Sequence, residues 1–316
     1  MSAFFSRSRP PITYGITPPK LSTSPERRSE IAAVQTARIS QLPIDALVVY
    51  DLQDEASRTD AVRPFPFVEC IDPAQYAFGD LSAVPQRKIV YRGVSQRSRE
   101  DMAAFFGRVQ REGGAAVLVG APSRTAPVRM GLREAYAIRQ ELAPALTLGG
   151  VTIAERHERS RDEHLRVLSK VDVGCSFLIS QAVYSVTASK NLLSDLHYLC
   201  QDEGREPPIL LVTLSPCGSA KTLSFMRWLG IDIPYWLENE LLHSRDILHT
   251  SVDVCLRAFE ELLEFAREKG IPLGCNVESV SLRREEIDAS VEVVRRVAAM
   301  MGLPVGPGPG ADSAGQ

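Results

Sequence analysis

Val171 to Ser185 reads V-D-V-G-C-S-F-L-I-S-Q-A-V-Y-S, and this stretch decides the fold. Gly174 is typical of a helix end, because glycine readily takes the left-handed conformation that stops a helix. Cys175–Ile179 is a short apolar run, which is typical of a strand buried on both faces of a parallel sheet. Gln181 follows at the carboxyl end of the strand, where α/β proteins place ligand-binding side chains. A buried strand whose glutamine bonds to a neighbouring loop explains the pattern equally well, so the strand alone leaves both interpretations open.

The alternation of strand and helix continues on both sides of this stretch. The predicted strands are Ile12–Ile16, Asp45–Tyr50, Lys88–Tyr91, Ala115–Val119, Leu146–Ile153, Cys175–Ile179, Ile209–Leu214 and Leu273–Val277. Eight strands with intervening helical patterns predict a closed (β/α)8 barrel, the TIM-barrel form of the α/β class. An open doubly wound sheet is the alternative, but it would usually carry G-x-G-x-x-G after its first strand, and that motif does not occur there.

The domain boundaries follow from the same alternation. Residues 1–11 are predicted to be a flexible N-terminal arm and residues 12–302 the barrel. The glycine- and proline-rich residues 303–316 are predicted to be a disordered tail. Residues 56–86 fit no strand–helix repeat and are assigned to an insertion after the second strand. Within this insertion, Phe65–Ile71 is a further strand candidate.

The composition is ordinary for a globular protein. The chain has 316 residues with 36 basic and 39 acidic side chains, a net charge of −3, so no nucleic-acid partner is expected. No run of roughly 18 apolar residues occurs, and the N-terminus lacks the apolar stretch of a secretory signal, so no membrane association is expected. The six cysteines form no C-x-x-C pair, which favours a reducing cytoplasm and predicts neither disulfides nor a metal site.

Four motifs lie at the ends of predicted strands and helices. They are Tyr14-Gly15-Ile16-Thr17-Pro18-Pro19-Lys20, Ala154-Glu155-Arg156-His157, Lys170-Val171-Asp172-Val173-Gly174-Cys175 and Ile179-Ser180-Gln181-Ala182-Val183-Tyr184. In this order and spacing they resemble the F-E-F-x-P-P, P-E-x-H, K-V-D-A-G-A and I-T-Q-x-x-F/Y motifs of the methylenetetrahydrofolate reductase family. The resemblance runs from about Ile12 to Met301 and implies a (β/α)8 barrel that acts on a tetrahydrofolate derivative.

The resemblance also implies a substrate site. The motif glutamine of the family binds the pterin ring, which assigns this role to Gln181. Tyr184 lies three residues further on, and its aromatic face suits a pterin or nicotinamide ring. Tyr14, from the first motif, is assigned to the same site. For Tyr184, packing against the next helix is an equally good interpretation.

The cofactor site differs from that of the flavin-containing members. These carry L-R-G-D after the fourth strand, whereas the matching segment here is Leu118-Val119-Gly120-Ala121, without the Arg and without the Asp that faces the flavin. The chain therefore resembles the actinobacterial branch that passes hydride directly from NADH or NADPH to the folate, and bound FAD is not expected. Glu155, His157 and Gly120 are assigned to the cofactor pocket.

The catalytic acid of the family has no counterpart at its usual place. In the family a Glu protonates N10 of the folate so that the methylene bridge opens, and Gly15 stands at that position. The candidate substitutes are Asp51 and Asp54 after the second strand and Glu278 on the eighth. Because the eighth strand adjoins the first in a closed barrel, Glu278 is the geometric candidate. A solvated acidic loop explains Asp51 and Asp54 equally well.

Three functions are compatible with these residues. The first is reduction of 5,10-methylenetetrahydrofolate to 5-methyltetrahydrofolate by NADH or NADPH without bound flavin. The second is a folate-dependent one-carbon transferase that passes a methylene or methyl group to another acceptor. The third is a non-catalytic folate-binding protein that keeps Gln181 and has lost the chemistry.

Overall fold

Eight parallel strands close into a barrel in the computed structural model, which describes residues 4–55, 59, 61–121, 123 and 126–304. The strands are β1 (Ile12–Ile16), β2 (Ala46–Val49), β3 (Arg87–Gly93), β4 (Ala115–Val119), β5 (Thr147–Thr152), β6 (Cys175–Ala182), β7 (Ile209–Leu214) and β8 (Leu273–Glu278). Each strand pairs in parallel with the next along the chain, and β8 pairs with β1 to complete the ring. The predicted (β/α)8 barrel is confirmed.

Helices connect the strands on the outside of the barrel. They are α1 (Pro25–Ile39), α2 (Pro73–Gln75) with a π-helical turn (Tyr76–Asp80), α3 (Arg99–Arg111), α4 (Leu132–Leu142), α5 (Ala154–Ser160), α6 (Glu163–Asp172), α7 (Val186–Asp202), α8 (Ala220–Trp228), α9 (Tyr235–His243), α10 (Ile247–Glu268) and α11 (Arg284–Met300). Within the described ranges, no helix combines the length and the hydropathy needed to cross a membrane.

The insertion after β2 contacts a helix that follows β7. The predicted strand Phe65–Ile71 is wrong, because only Cys70 makes a single antiparallel bridge, to Lys20. The Trp228 indole N–H donates to the Ala61 carbonyl at 3.0 Å, which joins the insertion to α8. Since α8 follows β7, Ala61 of the insertion contacts the connection between β7 and β8.

Alternate side chains of the strands fill the inside of the barrel. The buried inward residues are Ala46, Val48, Ile89, Tyr91, Ala115, Val117, Phe177, Ile179, Ile209 and Leu211. Phe5 joins this cluster from the N-terminal arm, with its ring 5.1 Å from the Phe177 ring. The arm, predicted to be flexible, therefore differs from that prediction at Phe5, because an aromatic side chain closes the floor of the barrel. Residues 1–3 and the tail from 305 to 316 lie outside the described residues.

Gly149 on β5 provides the space for this packing, and its replacement gives a test of the barrel core. A Cβ at Gly149 would lie 2.3 Å from a ring carbon of Phe177, and the Phe177 ring is fully buried. We therefore expect Gly149→Ala to lower the free energy of unfolding by about 1–3 kcal/mol, the usual cost of overpacking a core. Denaturant unfolding measures this difference. Gly79→Ala is the control, because a Cβ there meets nothing within 4 Å; equal stability of the two variants would contradict the packing argument.

Candidate functional site

A β-bulge at the end of β6 places Gln181 at the mouth of the barrel. Ile179 pairs with Leu211 and Ala182 pairs with Thr213, so two residues of β6 lie opposite one residue of β7. The bulge is held by Thr213, whose backbone N–H donates to the Ser180 hydroxyl at 2.9 Å and whose own hydroxyl donates to the Ser180 carbonyl at 2.6 Å. Bulges of this kind redirect side chains and occur often beside active sites.

The Gln181 carboxamide makes a hydrogen bond through its nitrogen but, among the described residues, none through its oxygen. Its Nε2 donates to the Leu229 carbonyl at the end of α8, at 2.9 Å. Its Oε1 is buried and has no hydrogen-bond partner among the described residues. A buried acceptor without a partner costs about 1–3 kcal/mol, and a ligand N–H would remove that cost. The side chain as a whole is half-buried, so a rotation can bring Oε1 to a ligand at the mouth.

A hydrogen-bonded network crosses the barrel from this bulge towards β8. Thr213 accepts from the Asn276 amide at 3.2 Å, and the same amide nitrogen donates to the Tyr50 hydroxyl at 2.9 Å. The Asn276 Oδ1 accepts from the Thr13 hydroxyl at 2.8 Å. Asn276, Thr213 and Thr13 are buried. Their contacts fix the orientation of the amide, because each donor of Asn276 meets an acceptor and its oxygen meets a donor.

Glu278 lies at the end of this network. Since the Tyr50 oxygen accepts from Asn276, its own O–H is free to act on the nearby Glu278 carboxylate. The Tyr50 ring also packs edge-on against Tyr91, with 4.7 Å between the ring centres. Burial raises the pKa of the Glu278 carboxyl, and the Tyr50 hydrogen bond offsets part of that rise. Glu278 therefore keeps its proton to higher pH than a solvated Glu, as a general acid requires.

Gly15, the residue that the sequence resemblance aligns with a catalytic Glu, faces Glu278. Gly15 pairs with Glu278 across β1 and β8. A Cβ at Gly15 would lie 2.7 Å from a ring carbon of Tyr50, so the Tyr50 ring takes the space of a side chain at this position. Glu278 thus lies on the adjacent strand, level with Gly15.

The two other acid candidates lie outside this network. The Asp51 carboxylate accepts from the Gly93 N–H at 2.8 Å and lies 3.9 Å from both Arg92 and Arg97. Burial raises the pKa of Asp51, while Arg92, the Gly93 N–H and Arg97 act in the opposite direction. Asp54 is exposed on the loop that follows β2. Among the contacts of the described residues, Glu278 acts on Tyr50, and neither Asp51 nor Asp54 is bonded to it.

The predicted cofactor residues are spread over two places. Glu155 and His157 lie on α5, where burial raises the pKa of the Glu155 carboxyl to about 7, helped by the nearby charge of Asp232. His157 is fully buried, with Nε2 2.9 Å from an Asp195 carboxylate oxygen. Gly120 follows β4, and its carbonyl accepts from Gln53, on the loop after β2, at 3.4 Å. The described contacts do not connect any of them to the network of Asn276.

Two predicted substrate residues use their hydroxyl groups in contacts within the protein. The Tyr14 hydroxyl lies 2.9 Å from the Ser290 hydroxyl of α11, and the Tyr184 hydroxyl donates to the Ser215 carbonyl at 2.7 Å. Both side chains are buried. For Tyr14 this differs from the assignment to the substrate, because successive strand residues face opposite sides and Tyr14 alternates with the inward-facing Thr13 and Gly15; the assignment of Tyr184 stays a prediction.

Sequence reasoning missed the four polar residues that organise the mouth: Tyr50, Asn276, Thr213 and Thr13. The sequence does carry a signal for these residues, since each is a polar side chain that lies inside a buried apolar strand or near the carboxyl end of one. Such residues need partners, and in a barrel these come from neighbouring strands.

A cavity of about 530 Å³ lies at the opposite end of the barrel, lined in part by Arg7, Pro10 and Gly270, and is separate from this site.

Comparison with known proteins finds similar chains among the solved structures. No protein-family model and no curated protein matches the chain. An uncharacterised protein from Clostridium thermocellum, which binds two copies of 5-methyl-5,6,7,8-tetrahydrofolic acid, is 44% identical with a TM-score of 0.81, over 92% of this chain and 95% of that one. Tryptophan synthase from M. tuberculosis matches 94% of this chain and 95% of its own at 12% identity and a TM-score of 0.51, which shows a shared fold alone.

Proposed function

From the premise that the chain belongs to the same family as the 5-methyltetrahydrofolate-binding protein of Clostridium thermocellum, we propose that it binds a reduced folate at the mouth of its barrel. The observation that carries the proposal is the identity of 44% over nearly the whole of both chains. The buried, unpartnered Oε1 of Gln181 supports it, because the amino and N–H groups of a pterin are the donors that such an acceptor needs.

The proposed reaction is reduction of 5,10-methylenetetrahydrofolate. Hydride from NADH or NADPH adds to the methylene carbon while the bond from this carbon to N10 breaks, and N10 takes a proton. The products are 5-methyltetrahydrofolate and the oxidised nicotinamide, so the folate bound by the relative would be the product. Glu278 is the proposed proton donor to N10. Its raised pKa and its place beside Gly15 favour this role, and no bound FAD is needed for it.

Two other functions use the same binding site. A one-carbon transferase would pass the methylene or methyl group to a second substrate, and Glu278 could then protonate the folate nitrogen that leaves. A non-catalytic folate-binding protein would need only Gln181 and the shape of the mouth. Binding of 5-methyltetrahydrofolate by a relative accords as well with this third function as with the first.

Calorimetry and a nicotinamide assay on the purified full-length protein separate these functions. Saturable binding of 5-methyltetrahydrofolate is expected, and its absence would refute the proposal as a whole. Oxidation of NADH or NADPH that depends on methylenetetrahydrofolate is expected for the reductase. Binding without nicotinamide oxidation would refute the reductase. Consumption of folate only with an added acceptor would then identify the transferase.

Tyr50→Phe tests the acid through its pH dependence. The Tyr50 hydrogen bond stabilises ionised Glu278 and so lowers its pKa; without it the pKa should rise. Since the acid works in its protonated form, activity should fall as pH rises through the pKa of Glu278, and Tyr50→Phe should move this fall to higher pH. The pH profile of kcat measures the shift. An unchanged profile, or a shift to lower pH, would contradict the assignment of Glu278.

A further inference from the structure

A cluster of potential metal ligands lies between three helices, apart from the hydrogen-bonded network at the mouth. His157 of α5, His164 of α6 and Asp195 of α7 each offer one ligand atom, and these atoms lie within 4.8 Å of one another. The two imidazole rings meet edge-on, with 5.1 Å between their centres. We call these three residues the His–His–Asp cluster.

Unsatisfied hydrogen bonds mark the cluster as incomplete. His157 is fully buried, yet its Nδ1 has no hydrogen-bond partner among the described residues. The Nδ1 of His164 is likewise buried and without a partner in this part of the chain. Buried polar atoms are nearly always paired, so the orphaned Nδ1 of His164 points to a missing ligand, while His157 would bind through the Nε2 that now faces Asp195.

A break between two helices brings the histidines together. Arg161 takes a left-handed conformation, with φ of 54°, and ends α5. The chain then turns and begins α6 at Glu163. Glu163 anchors this turn, because its carboxylate accepts from the Ile153 N–H at 3.1 Å and from the Thr152 hydroxyl at 3.2 Å. The loop geometry is therefore fixed from β5, and His164 faces His157 as a result.

We propose that the His–His–Asp cluster binds a divalent transition-metal ion of the zinc class. Two imidazoles and one carboxylate are ligands that Zn²⁺ accepts at about 2.0–2.2 Å, with water completing four-coordination. The ion would replace the hydrogen bond of 2.9 Å between His157 Nε2 and Asp195, releasing any proton held there. His164 and Asp195 are only partly buried, so these two side chains can rotate to close the distances.

The bound ion would tie α5 to α6 and α7. Helix α5 has only seven residues and packs against α7 and α6, the two helices that carry the other ligands. Fixing α5 would also fix Glu155, which is buried on the same helix. The proposal does not depend on folate binding, and its test uses no folate.

Zinc titration of the chelator-treated full-length protein tests the proposal. Calorimetry should show one ion per chain, and His164→Ala and Asp195→Ala should each weaken binding at least about tenfold. These two partly buried ligands are chosen because the fully buried His157 could not be removed without disturbing the packing. Co²⁺ should give a visible absorption band with the wild type that is lost in His164→Ala.

An exposed histidine provides the control. His249 lies 3.6 Å from Asp253 on α10, with an exposed side chain, and so resembles an adventitious surface site. His249→Ala should bind Zn²⁺ as the wild type does. Zn²⁺ should also raise the melting temperature of the wild type and of His249→Ala, but not that of His164→Ala. Failure of the wild type to bind Zn²⁺, or equal affinity in His164→Ala, would overturn the proposal.

Discussion

Replacing Glu278 by glutamine should reduce kcat for methylenetetrahydrofolate reduction by about 10²–10⁴-fold, the usual contribution of a general acid. The change removes the transferable proton but keeps the size of the side chain and an oxygen that accepts from Tyr50. The affinity for 5-methyltetrahydrofolate should therefore change little. Steady-state assays of nicotinamide oxidation give kcat, and calorimetry gives the affinity.

The stability of Glu278→Gln separates loss of chemistry from loss of structure. Burial raises the folded-state pKa of Glu278 above its unfolded value. The folded protein thus holds this proton more tightly, and stability falls as pH rises from the unfolded pKa through the folded pKa. Glutamine never ionises, so the variant should be at least as stable as the wild type at neutral pH. A much less stable variant would contradict this account of the carboxyl.

Two further substitutions provide a control and a test of the alternative acid. Glu240 is exposed on α9, so Glu240→Gln repeats the chemical change away from the mouth and should leave kcat unaltered. Asp54→Asn tests the acidic loop after β2. Loss of turnover in Asp54→Asn, with near-normal turnover in Glu278→Gln, would move the acid from β8 to that loop.

The barrel could be predicted because its signal is repeated along the chain. Each strand is a short apolar run, and eight of them separated by helical patterns leave little choice of fold. Closure of the ring also predicts that Glu278 is a neighbour of Gly15, and the two residues pair across β8 and β1. That Glu278 lies beside Gly15 follows from the strand order alone and needs no knowledge of side-chain packing.

Side-chain direction was harder to predict because it depends on local irregularities. Tyr14 faces α11 by simple alternation along β1, which the sequence does contain. The direction of Gln181 depends instead on the bulge in β6, where one extra residue interrupts the alternation. The meeting of His157 and His164 depends on the left-handed residue Arg161, and Arg is an unusual residue in that conformation. Neither irregularity has a marker in the sequence.

Gln181→Leu should weaken binding of 5-methyltetrahydrofolate by about 10–100-fold, which corresponds to about 1.4–2.7 kcal/mol. The loss arises because a ligand N–H would no longer meet Oε1. The Leu229 carbonyl also loses the donor that it has in Nε2, but this lowers the stability of the free and the bound protein alike. Each unmade hydrogen bond of a buried group costs about 1–3 kcal/mol. Calorimetric titration of the folate into each protein measures the difference.

A second variant at position 181 distinguishes the contact of Oε1 with the folate from the contact of Nε2 with the Leu229 carbonyl. Gln181→Glu keeps an acceptor oxygen but removes the donor to Leu229, so it should bind folate better than Gln181→Leu if Oε1 contacts the pterin. Gln110→Ala, at an exposed position of α3, should bind as the wild type does. Wild-type affinity in Gln181→Leu would mean that the bulge of β6 serves only to hold α8, and that the folate lies elsewhere in the mouth. Because the bulge bonds remain in all of these variants, through Ser180 and Thr213, a loss confined to Gln181→Leu and Gln181→Glu reports on the side chain itself.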